Sequence, residues 1–426
     1  MILNEDTLHF IRAHRSDDVR ALALQARRDP SVDMPAAITQ IAGWQVAKEK
    51  VPTWAQTEGI LYPVHLSLEQ CSSELTARYK AEIIKSFLNA KQLNLVEKGV
   101  GNEPLNSLEE NLPSATTFTD LTGGFGIDCA FLSSCFREAT YVERQQALCE
   151  IASHNFPLLN LNHISVCHED SILHLQKMRP TDWIFIDPAR RDGQGGKTVA
   201  ISDCEPNVAA LEELLLQKAS YILIKLSPML DLTLALHDLK HVQAAYILSV
   251  GNECKELLLL LGRTETLPPE EIPIHCINLT HAPSPQQLTF TRKQEKDSTC
   301  QFATTLQSYL YEPNASLLKA GAFRSIAHLY KVEKLHPNSH LYTSDRLIPD
   351  FPGRKFLITN HCSFNKKEIK DLLATEKKAN LTVRNFPASV AELRKRLKLA
   401  EGGNTYLFAT TMGDEKKVLI RCQTLS

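Results

Sequence analysis

Four apolar segments between residues 115 and 190 are each followed at once by an acidic side chain. These acids are Asp120, Glu143, Asp170 and Asp187. In an open parallel sheet the carboxyl ends of the strands meet at one edge, and ligands bind in the crevice there. Four acids at four successive segment ends are more than turn and helix caps alone would produce. They predict a ligand site built from strand ends.

A glycine-rich turn follows the first segment, in the run Asp120-Leu-Thr-Gly-Gly-Phe-Gly-Ile-Asp128. Its glycines permit a tight turn and let a ligand lie against bare backbone before a helix begins. NAD and FAD sites use such turns too. Two details favour S-adenosylmethionine (SAM): the Asp120 carboxylate suits the amino group of SAM and not a pyrophosphate, and Cys129 stands where the dinucleotide pattern has its third glycine. The predicted cofactor contacts in this run are Asp120, Thr122, Gly123, Gly124, Gly126 and Asp128.

The second and third acids suit the remainder of an adenosine. Glu143, with Arg144 beside it, could accept hydrogen bonds from both ribose hydroxyls, which would indicate an adenosine-type ligand without separating SAM from NAD. Asp170 could accept from the adenine amino group, or it could cap the helix that begins at Ser171. We include all four residues among the predicted cofactor contacts.

The fourth segment ends in Asp187-Pro188-Ala189-Arg190. Methyl transfer from a sulfonium is an in-line displacement, so an enzyme has mainly to place the nucleophile and exclude water. An Asp187 oxygen and the Pro188 carbonyl could accept the two N–H hydrogens of an exocyclic base amine and so direct its lone pair at the methyl group. Arg190 could stack on the base or hold a phosphate. These three are the predicted catalytic residues.

Further basic residues are predicted at the same edge. The glycine-rich stretch after Arg190 is interpreted as a loop over the acceptor, with Arg191 and Lys197 as phosphate contacts. Lys225 ends the fifth segment, where it could meet the substrate or neutralise Asp187.

The elements that must position these residues alternate between strand and helix patterns from about residue 115 to 280. This alternation predicts a parallel sheet with helices on both faces, with room for one antiparallel edge strand. The leucine-rich run 254–261 is interpreted as a helix. The predicted domains are a helical region (1–100), the sheet domain (114–281), a connecting α+β region (282–350) and a small α+β module (351–426).

Size and composition fit a folded protein of two or three domains. The chain has 426 residues, 43% of them hydrophobic and 23% charged, which excludes a largely disordered or fibrous protein. None of the 11 cysteines forms a Cys-x-x-Cys pair, which argues against a zinc site and fits free thiols. The pattern of residues indicates no signal peptide, and the most apolar stretch is too short to span a bilayer, so we expect a cytoplasmic protein without a bound metal.

Charge is unevenly distributed. From Gly353 onward there are fifteen Lys and Arg against seven Asp and Glu, so this tail carries +8, while the whole chain carries −2. Such asymmetry suggests a polyanion partner, with RNA or DNA the first candidates, although a solvated lysine-rich surface would look the same. The predicted contacts in the tail are Arg394, Lys395 and Arg396.

These motifs together resemble the class I SAM-dependent methyltransferases, whose Rossmann-like sheet has seven strands with one antiparallel strand near its edge. The Asp120–Asp128 run is similar to the first motif of that family, Glu143 to its ribose-binding acid and Asp170 to its adenine-side acid. Asp187-Pro188-Ala189-Arg190 occupies the place of the Asp/Asn-Pro-Pro-aromatic motif of enzymes that methylate nucleic-acid bases. Arg190 departs from that motif, because it stands where the aromatic residue would stack on the base.

More narrowly, the whole chain resembles a bacterial group of methyltransferases with a helical N-terminal region and a C-terminal THUMP-like domain. The segments that support this are Leu68–Lys80, Asp120–Gly126, Ile186–Arg191, Tyr311–Ser316 and the basic tail. THUMP domains bind RNA, commonly tRNA, so the resemblance implies methylation of a tRNA or rRNA base at an exocyclic or ring nitrogen. It also implies that the Gln70–Lys80 helix closes over the SAM site.

Three other functions fit parts of the pattern. A small-molecule methyltransferase would use the basic tail only for assembly. A non-catalytic RNA-binding protein would keep a degenerate methyltransferase domain. An NAD-dependent oxidoreductase would explain the glycine turn and Glu143 but not Asp187-Pro188.

Overall fold

The computed structural model describes residues 3–25, 30–97, 116–190, 200–263, 266–280, 282–374 and 376–425. The chain forms two compact units. The first comprises Met1–His241 with Leu259–Glu265, and the second comprises Val242–Leu258 with Thr266–Ser426.

The first unit begins with the helices predicted for the N-terminal region. They are α1 (Glu5–His14), α2 (Val19–Gln25), α3 (Met34–Lys50), α4 (Pro52–Gln56), α5 (His65–Gln70) and α6 (Glu74–Glu97). Side-chain caps fix where several of them start. Asn4 accepts from the Thr7 amide at 2.8 Å, and Ser73 accepts from the Thr76 amide at 3.2 Å.

Strands and helices then alternate as predicted. They are β1 (Thr117–Asp120), α7 (Ile127–Ser133), β2 (Glu138–Glu143), α8 (Gln146–Leu158), β3 (Ile164–His168), α9 (Ser171–Lys177), β4 (Thr181–Ile186), β5 (Ala189–Arg190), β6 (Cys204–Glu205), α10 (Val208–Lys218), β7 (Ala219–Leu226) and α11 (Leu232–Asp238). Pairing is parallel between β1 and β2, β2 and β3, β1 and β4, and β4 and β7. The order of strands therefore reverses between β1 and β4, and open parallel sheets generally bind ligands beside such a reversal.

The second unit continues with strands, one of which we predicted wrongly. Its first strands are β8 (Val242–Val250), β9 (Glu253–Gly262, whose end belongs to the first unit), β10 (Ile274–Leu279) and β11 (Gln286–Phe290). The run 254–261, interpreted above as a helix, is strand β9. Gly251 and Asn252 both have positive φ, +56° and +69°, as a two-residue hairpin turn requires. All five leucines from Leu257 are buried, and a short apolar run of this kind has no period that separates helix from strand.

Along the large sheet the hydrogen-bonded order is β11-β10-β8-β9-β7-β4-β1-β2-β3. This sheet has nine strands, two more than the resemblance implied. β10 is parallel to β8, whereas the edge strand β11 is antiparallel to β10. No element was predicted for residues 286–290, although Leu288 and Phe290 of β11 are buried.

A second sheet has seven strands in the order β13-β14-β12-β15-β18-β17-β16. They are β12 (Tyr309–Pro313), β13 (Glu333–Lys334), β14 (Tyr342–Ser344), β15 (Gly353–Ser363), β16 (Asn380–Val383), β17 (Thr405–Thr411) and β18 (Lys417–Leu425). The helices of this unit are α12 (Arg292–Asp297), α13 (Ala315–Ala320), α14 (Phe323–Tyr330), α15 (Lys366–Leu372) and α16 (Val390–Leu397). Because β12 and β15 pair within this sheet, the sheet includes residues on both sides of position 350, where the predicted connecting region ends. The four-part division of the chain stays a prediction.

Among the residues described, no helix is both long enough and apolar enough to cross a membrane.

The hairpin before β9 can be tested at Gly251. A Cβ there would meet no atom within 4 Å, so an alanine would be penalised only by its backbone conformation at φ +56°. We expect Gly251→Ala to lower the free energy of unfolding by about 1 kcal/mol in urea titrations. Glu253→Ala, on the exposed first residue of β9, should change it by less than about 0.5 kcal/mol. Equal stability of the two variants would contradict the left-handed turn.

Candidate active site

The glycine turn after β1 is packed directly onto β2. The Gly123 amide donates to the Val142 carbonyl at 2.8 Å, and the Tyr141 hydroxyl donates to the Gly124 carbonyl at 2.5 Å. A Cβ on Gly123 would lie 2.2 Å from the Tyr141 ring, so the turn can approach this strand only with glycine there. Gly126, at φ +90°, then starts α7. The turn therefore presents bare backbone at the end of the sheet, as a bound nucleoside would need.

Glu143 holds the same turn from the end of β2. It is buried, and its two oxygens accept from the Gly124 amide at 2.9 Å and from the Gln145 amide at 2.8 Å. Each oxygen retains a second lone pair, so ribose binding is compatible with these bonds and stays a prediction. The neighbouring Arg144 is largely exposed, with its guanidinium 3.5 Å from Glu205.

Asp120 ends β1 as a fully buried carboxylate. Its Oδ1 accepts from the Thr122 amide at 2.9 Å, while its Oδ2 has no hydrogen-bond partner among the residues described. Burial raises the pKa of Asp120 well above its ordinary value, and the negative charges of Asp128 and Asp187 raise it further. A buried carboxylate oxygen without a partner costs free energy unless a ligand supplies a donor. The position therefore fits a cationic group.

The Asp-Pro segment is tied to the glycine turn. The Asp187 amide donates to the Thr122 hydroxyl at 2.7 Å, and the Leu121 amide donates to the Phe185 carbonyl at 3.0 Å. The first and fourth acids thus lie beside each other at the reversal of strand order, as the sequence predicted. Pro188, which follows Asp187, is buried.

Lys225 neutralises Asp187. At the end of β7 its Nζ lies 2.6 Å from Asp187 Oδ2, and only a tenth of its side chain is exposed, against a third for Asp187. Of the two roles left open for Lys225, the ion pair is the one observed. Burial raises the pKa of Asp187, and the Lys225 ammonium opposes that rise.

Asp128 lies in a buried ion network instead of facing an open cleft. Its Oδ1 is 2.8 Å from Lys80 Nζ, while its Oδ2 is 3.1 Å from Lys225 Nζ and accepts from the Ser72 hydroxyl at 2.7 Å. Burial by itself would raise the pKa of Asp128, but the two ammonium groups hold it below its ordinary value. A cofactor contact by Asp128 stays a prediction.

Two residues of this network, Ser72 and Lys80, were missed as site residues from the sequence. Both come from the helical region, just before and within α6, and only the resemblance of Leu68–Lys80 to a family segment pointed there. We interpreted the serines as a helix start, and Ser73 is indeed the cap. The Ser72 hydroxyl instead donates to Asp128, and no local sequence pattern indicates this contact.

Asp170 caps a helix. Its Oδ1 accepts from the amides of Ile172 and Leu173, at 2.9 and 3.1 Å, and Ser171 is the first residue of α9. Of the two roles considered for Asp170, the cap is observed, and the contact with adenine stays a prediction.

Some of the predicted substrate contacts lie outside the described residues. Arg191 and Lys197 are among them, and so is the side chain of Arg190, whose backbone pairs with Cys204 in the short β5–β6 ladder. In the tail, Arg394 donates to the Ala379 carbonyl at 3.2 Å, whereas Lys395 and Arg396 are exposed.

One group of possible metal ligands lies at the end of β3. His174 Nδ1 is 3.0 Å from Glu169 Oε2 and 3.6 Å from Cys167 Sγ. Lys177 pairs with the other oxygen of Glu169, so an ion pair already neutralises the negative charge of this cluster. We expected no metal because no Cys-x-x-Cys pair exists, and that expectation stays a prediction.

Comparison with protein families finds two matches in the second unit. A model described as a ferredoxin-like domain matches residues 309–352, and one described as THUMP domain-like matches residues 353–424. A search of curated proteins finds no match.

Comparison with solved structures finds a full-length match. A structure described as a "putative methyltransferase" from Porphyromonas gingivalis W83 is 35% identical, covers 100% of both chains and has a TM-score of 0.83. An rRNA methylase from Streptococcus thermophilus is 15% identical over 35% of this chain and 88% of its own, with a TM-score of 0.27. M. capricolum TrmK with S-adenosyl-homocysteine is 13% identical over 38% of this chain and 68% of its own, with a TM-score of 0.28.

The environment of Asp120 predicts a conflict between stability and binding. Its raised pKa means that folding penalises the charged form, so stability from this group is present at low pH and is lost as pH rises. We expect Asp120→Asn to raise the free energy of unfolding of the ligand-free protein at pH 8 by about 1–3 kcal/mol, and the gain to shrink as pH is lowered. Urea titrations of both proteins at pH 5 and pH 8 measure this difference. No gain at pH 8 would show that the carboxylate is paired in the folded protein.

Proposed function

The chain belongs to the class I SAM-dependent methyltransferases, in the bacterial group that joins a helical N-terminal region to a C-terminal THUMP-like domain, and we propose that it transfers a methyl group from SAM to a nitrogen of an RNA base. One observation carries the catalytic part of this proposal. Among the described residues the buried Asp120 Oδ2 has no hydrogen-bond partner, and it lies at the end of β1, next to β4, which Asp187-Pro188 follows.

The charges of the site suit SAM. Among the described residues beside the ends of β1 and β4, three carboxylates, from Asp120, Asp128 and Asp187, are opposed by two ammonium groups, from Lys80 and Lys225. These five groups together have one excess negative charge when all of them are ionised. SAM has a sulfonium, an ammonium and a carboxylate, so its net charge is positive. Asp120 Oδ2 would accept a hydrogen bond from the ammonium, and the glycine turn with Glu143 would hold the adenosine.

The chain's own residues then position the acceptor. Bound SAM supplies an electrophilic methyl group. Asp187 uses Oδ2 for Lys225, which leaves Oδ1 to accept an N–H of the acceptor amine, and the Pro188 carbonyl accepts the other. Because the Lys225 ammonium opposes protonation of Asp187, this carboxylate keeps the acceptor capacity that alignment of the nitrogen lone pair requires. The nitrogen gains the methyl group as the bond from that group to sulfur breaks, and it then loses one N–H proton, which Asp187 Oδ1 would accept.

The second unit supports RNA as the substrate. Its THUMP domain-like match covers the basic tail, and exposed Lys395 and Arg396 lie on the last turn of α16. The Arg396 guanidinium lies 4.7 Å from the centre of the Phe364 ring, which restrains this cation at the surface. A substrate base held in a duplex would have to leave its stack to reach Asp187.

Catalysis can be tested with three aspartate variants. We expect Asp120→Ala to weaken SAM binding about 10- to 100-fold by calorimetry, because it removes a charge-assisted hydrogen bond. We expect Asp187→Ala to keep SAM affinity within a few-fold while slowing transfer at least about 100-fold. Transfer is followed with tritiated SAM on RNA from cells that lack the gene, and nucleoside mass spectrometry then identifies the product.

Asp182→Ala is the matched control, because this aspartate lies at the opposite end of β4, where it accepts from the Thr117 amide at 2.8 Å. It should leave both binding and transfer unchanged. If the wild-type protein did not bind SAM, the result would favour the alternative in which the chain is a non-catalytic RNA-binding protein. SAM binding without transfer to any RNA would favour a small-molecule methyltransferase.

RNA binding by the full-length chain can be tested separately. We expect mobility shifts with bulk tRNA to weaken with salt. The double variant Lys395→Glu/Arg396→Glu should reduce the logarithmic salt slope by about one for each phosphate that these two cations neutralise in the wild-type protein. The control is Lys48→Glu on α3, an exposed lysine outside the tail. If salt-sensitive binding is absent, or if the control reduces the slope equally, the tail is not the RNA-binding surface.

A further inference from the structure

A fully buried lysine lies under the active site and takes no part in the reaction proposed above. Lys80, on α6, is 0% exposed. Its Nζ lies 2.8 Å from Asp128 Oδ1 and donates to the Ser72 hydroxyl oxygen at 2.8 Å. A lysine loses a large solvation free energy when it is buried, so it is retained only with partners that compensate for this loss. The partners of Lys80 connect it to the active site.

Ser72 and Asp128 form that connection. The Ser72 hydroxyl accepts from Lys80 and from Lys225, at 2.8 and 3.0 Å, and donates to Asp128 Oδ2 at 2.7 Å. Asp128 therefore receives one ammonium at each oxygen. Lys225 Nζ is shared, because it lies 3.1 Å from Asp128 and 2.6 Å from Asp187.

Sharing of Lys225 sets up a competition between two aspartates for one ammonium group. While Lys80 neutralises Asp128, Lys225 can remain closer to Asp187. If Lys80 lost its charge, the buried Asp128 would have Lys225 as its one remaining cation in the network described here. Lys225 would then be drawn from Asp187 toward Asp128, because an uncompensated buried charge is very costly.

We infer that Ser72 and Lys80, from the helical region that precedes the sheet, are positioning residues of the active site, which hold Asp128 so that the Lys225 ammonium is directed to Asp187. The importance of Asp187 rests on the function proposed above, whereas the contacts among Ser72, Lys80 and Asp128 do not depend on that function. The helical region thus influences the acceptor site through the ion pairs of Asp128, although none of its own residues contacts the acceptor in this proposal.

Within the described part of the chain, the charged groups that act on Asp187 come from four elements, and the test must account for all of them. They are Lys225 on β7, Asp128 on α7, Lys80 on α6 and Asp120 on β1. The two lysines favour the ionised form of Asp187, and the two aspartates oppose it. Removal of one member therefore changes the protonation of Asp187 in a direction that depends on the remaining charges.

The test measures the pKa of Asp187 in the full-length protein without SAM or RNA. Aspartate is labelled with carbon-13 at its carboxyl carbon, the signals are followed by NMR as pH is changed, and the Asp187 signal is identified by its disappearance in Asp187→Asn. Lys80→Met should raise the pKa of Asp187 by about one unit or more. Ser72→Ala should change it in the same direction by less. Lys85→Met, at a half-exposed lysine of the same helix, should leave it unchanged.

The double variant Lys80→Met/Asp128→Asn should have the opposite effect. It removes both charges, so Lys225 is left to pair with Asp187, and the pKa of Asp187 should fall below the wild-type value. The double variant also keeps the test decisive if Lys80→Met alone does not fold, because it leaves no uncompensated charge at residue 128.

A merely structural role for Lys80 would not give shifts of opposite sign. An unchanged pKa of Asp187 in both variants, or a shift in the same direction in both, would overturn the inference. Because neither SAM nor RNA enters the measurement, failure of the proposed function would appear only in the calorimetric and transfer assays.

Discussion

Neutralisation of buried charge is the constraint on which the active-site half of this protein depends. Asp128 is buried in the first turn of α7, directly after the glycine turn, and it can remain ionised there only because Lys80 and Lys225 approach it from two sides. One ammonium comes from the helical region and the other from the end of β7. The same pairing that stabilises the first turn of α7 therefore fixes α6 and the end of β7 around the site.

Asp120 differs from Asp128 because its buried charge is not compensated in the same way. No cation lies on its free oxygen among the described residues, so its charged form is disfavoured and one acceptor position is left for a ligand. A site that retains an unsatisfied buried group gives up stability for binding. Asp187 is intermediate, since Lys225 opposes its protonation while a third of the side chain stays exposed. The three neighbouring aspartates thus differ in how their charge is compensated, and this difference follows from their partners.

In the second unit, part of the positive charge of the tail is used within the fold. Glu312, buried in β12, accepts from Arg354 Nε at 2.8 Å and from an Arg384 terminal nitrogen at 2.8 Å. Arg394 and Arg421 also bond within the unit, to the Ala379 carbonyl and to Glu376. The excess of +8 therefore overstates what a polyanion could contact. Among the described residues of the tail, the cations left at the surface are mainly lysines, on α15, on α16 and in the loops, together with the stacked Arg396.

Residue order alone was enough to predict the alternation of strands and helices, the glycine turn and the acids at the strand ends, because each depends on neighbours in the chain. It was also enough to predict the family, through motifs that are short runs of residues. Three features became visible only in the folded chain: the leucines of β9 form a strand, Asp170 caps α9, and Lys225 pairs with Asp187. Folding alone brought Ser72 and Lys80 to Asp128, about fifty residues away in the chain. A buried ion network has no local signature, because its members are selected by the distance between their charges after folding and not by their spacing in the chain.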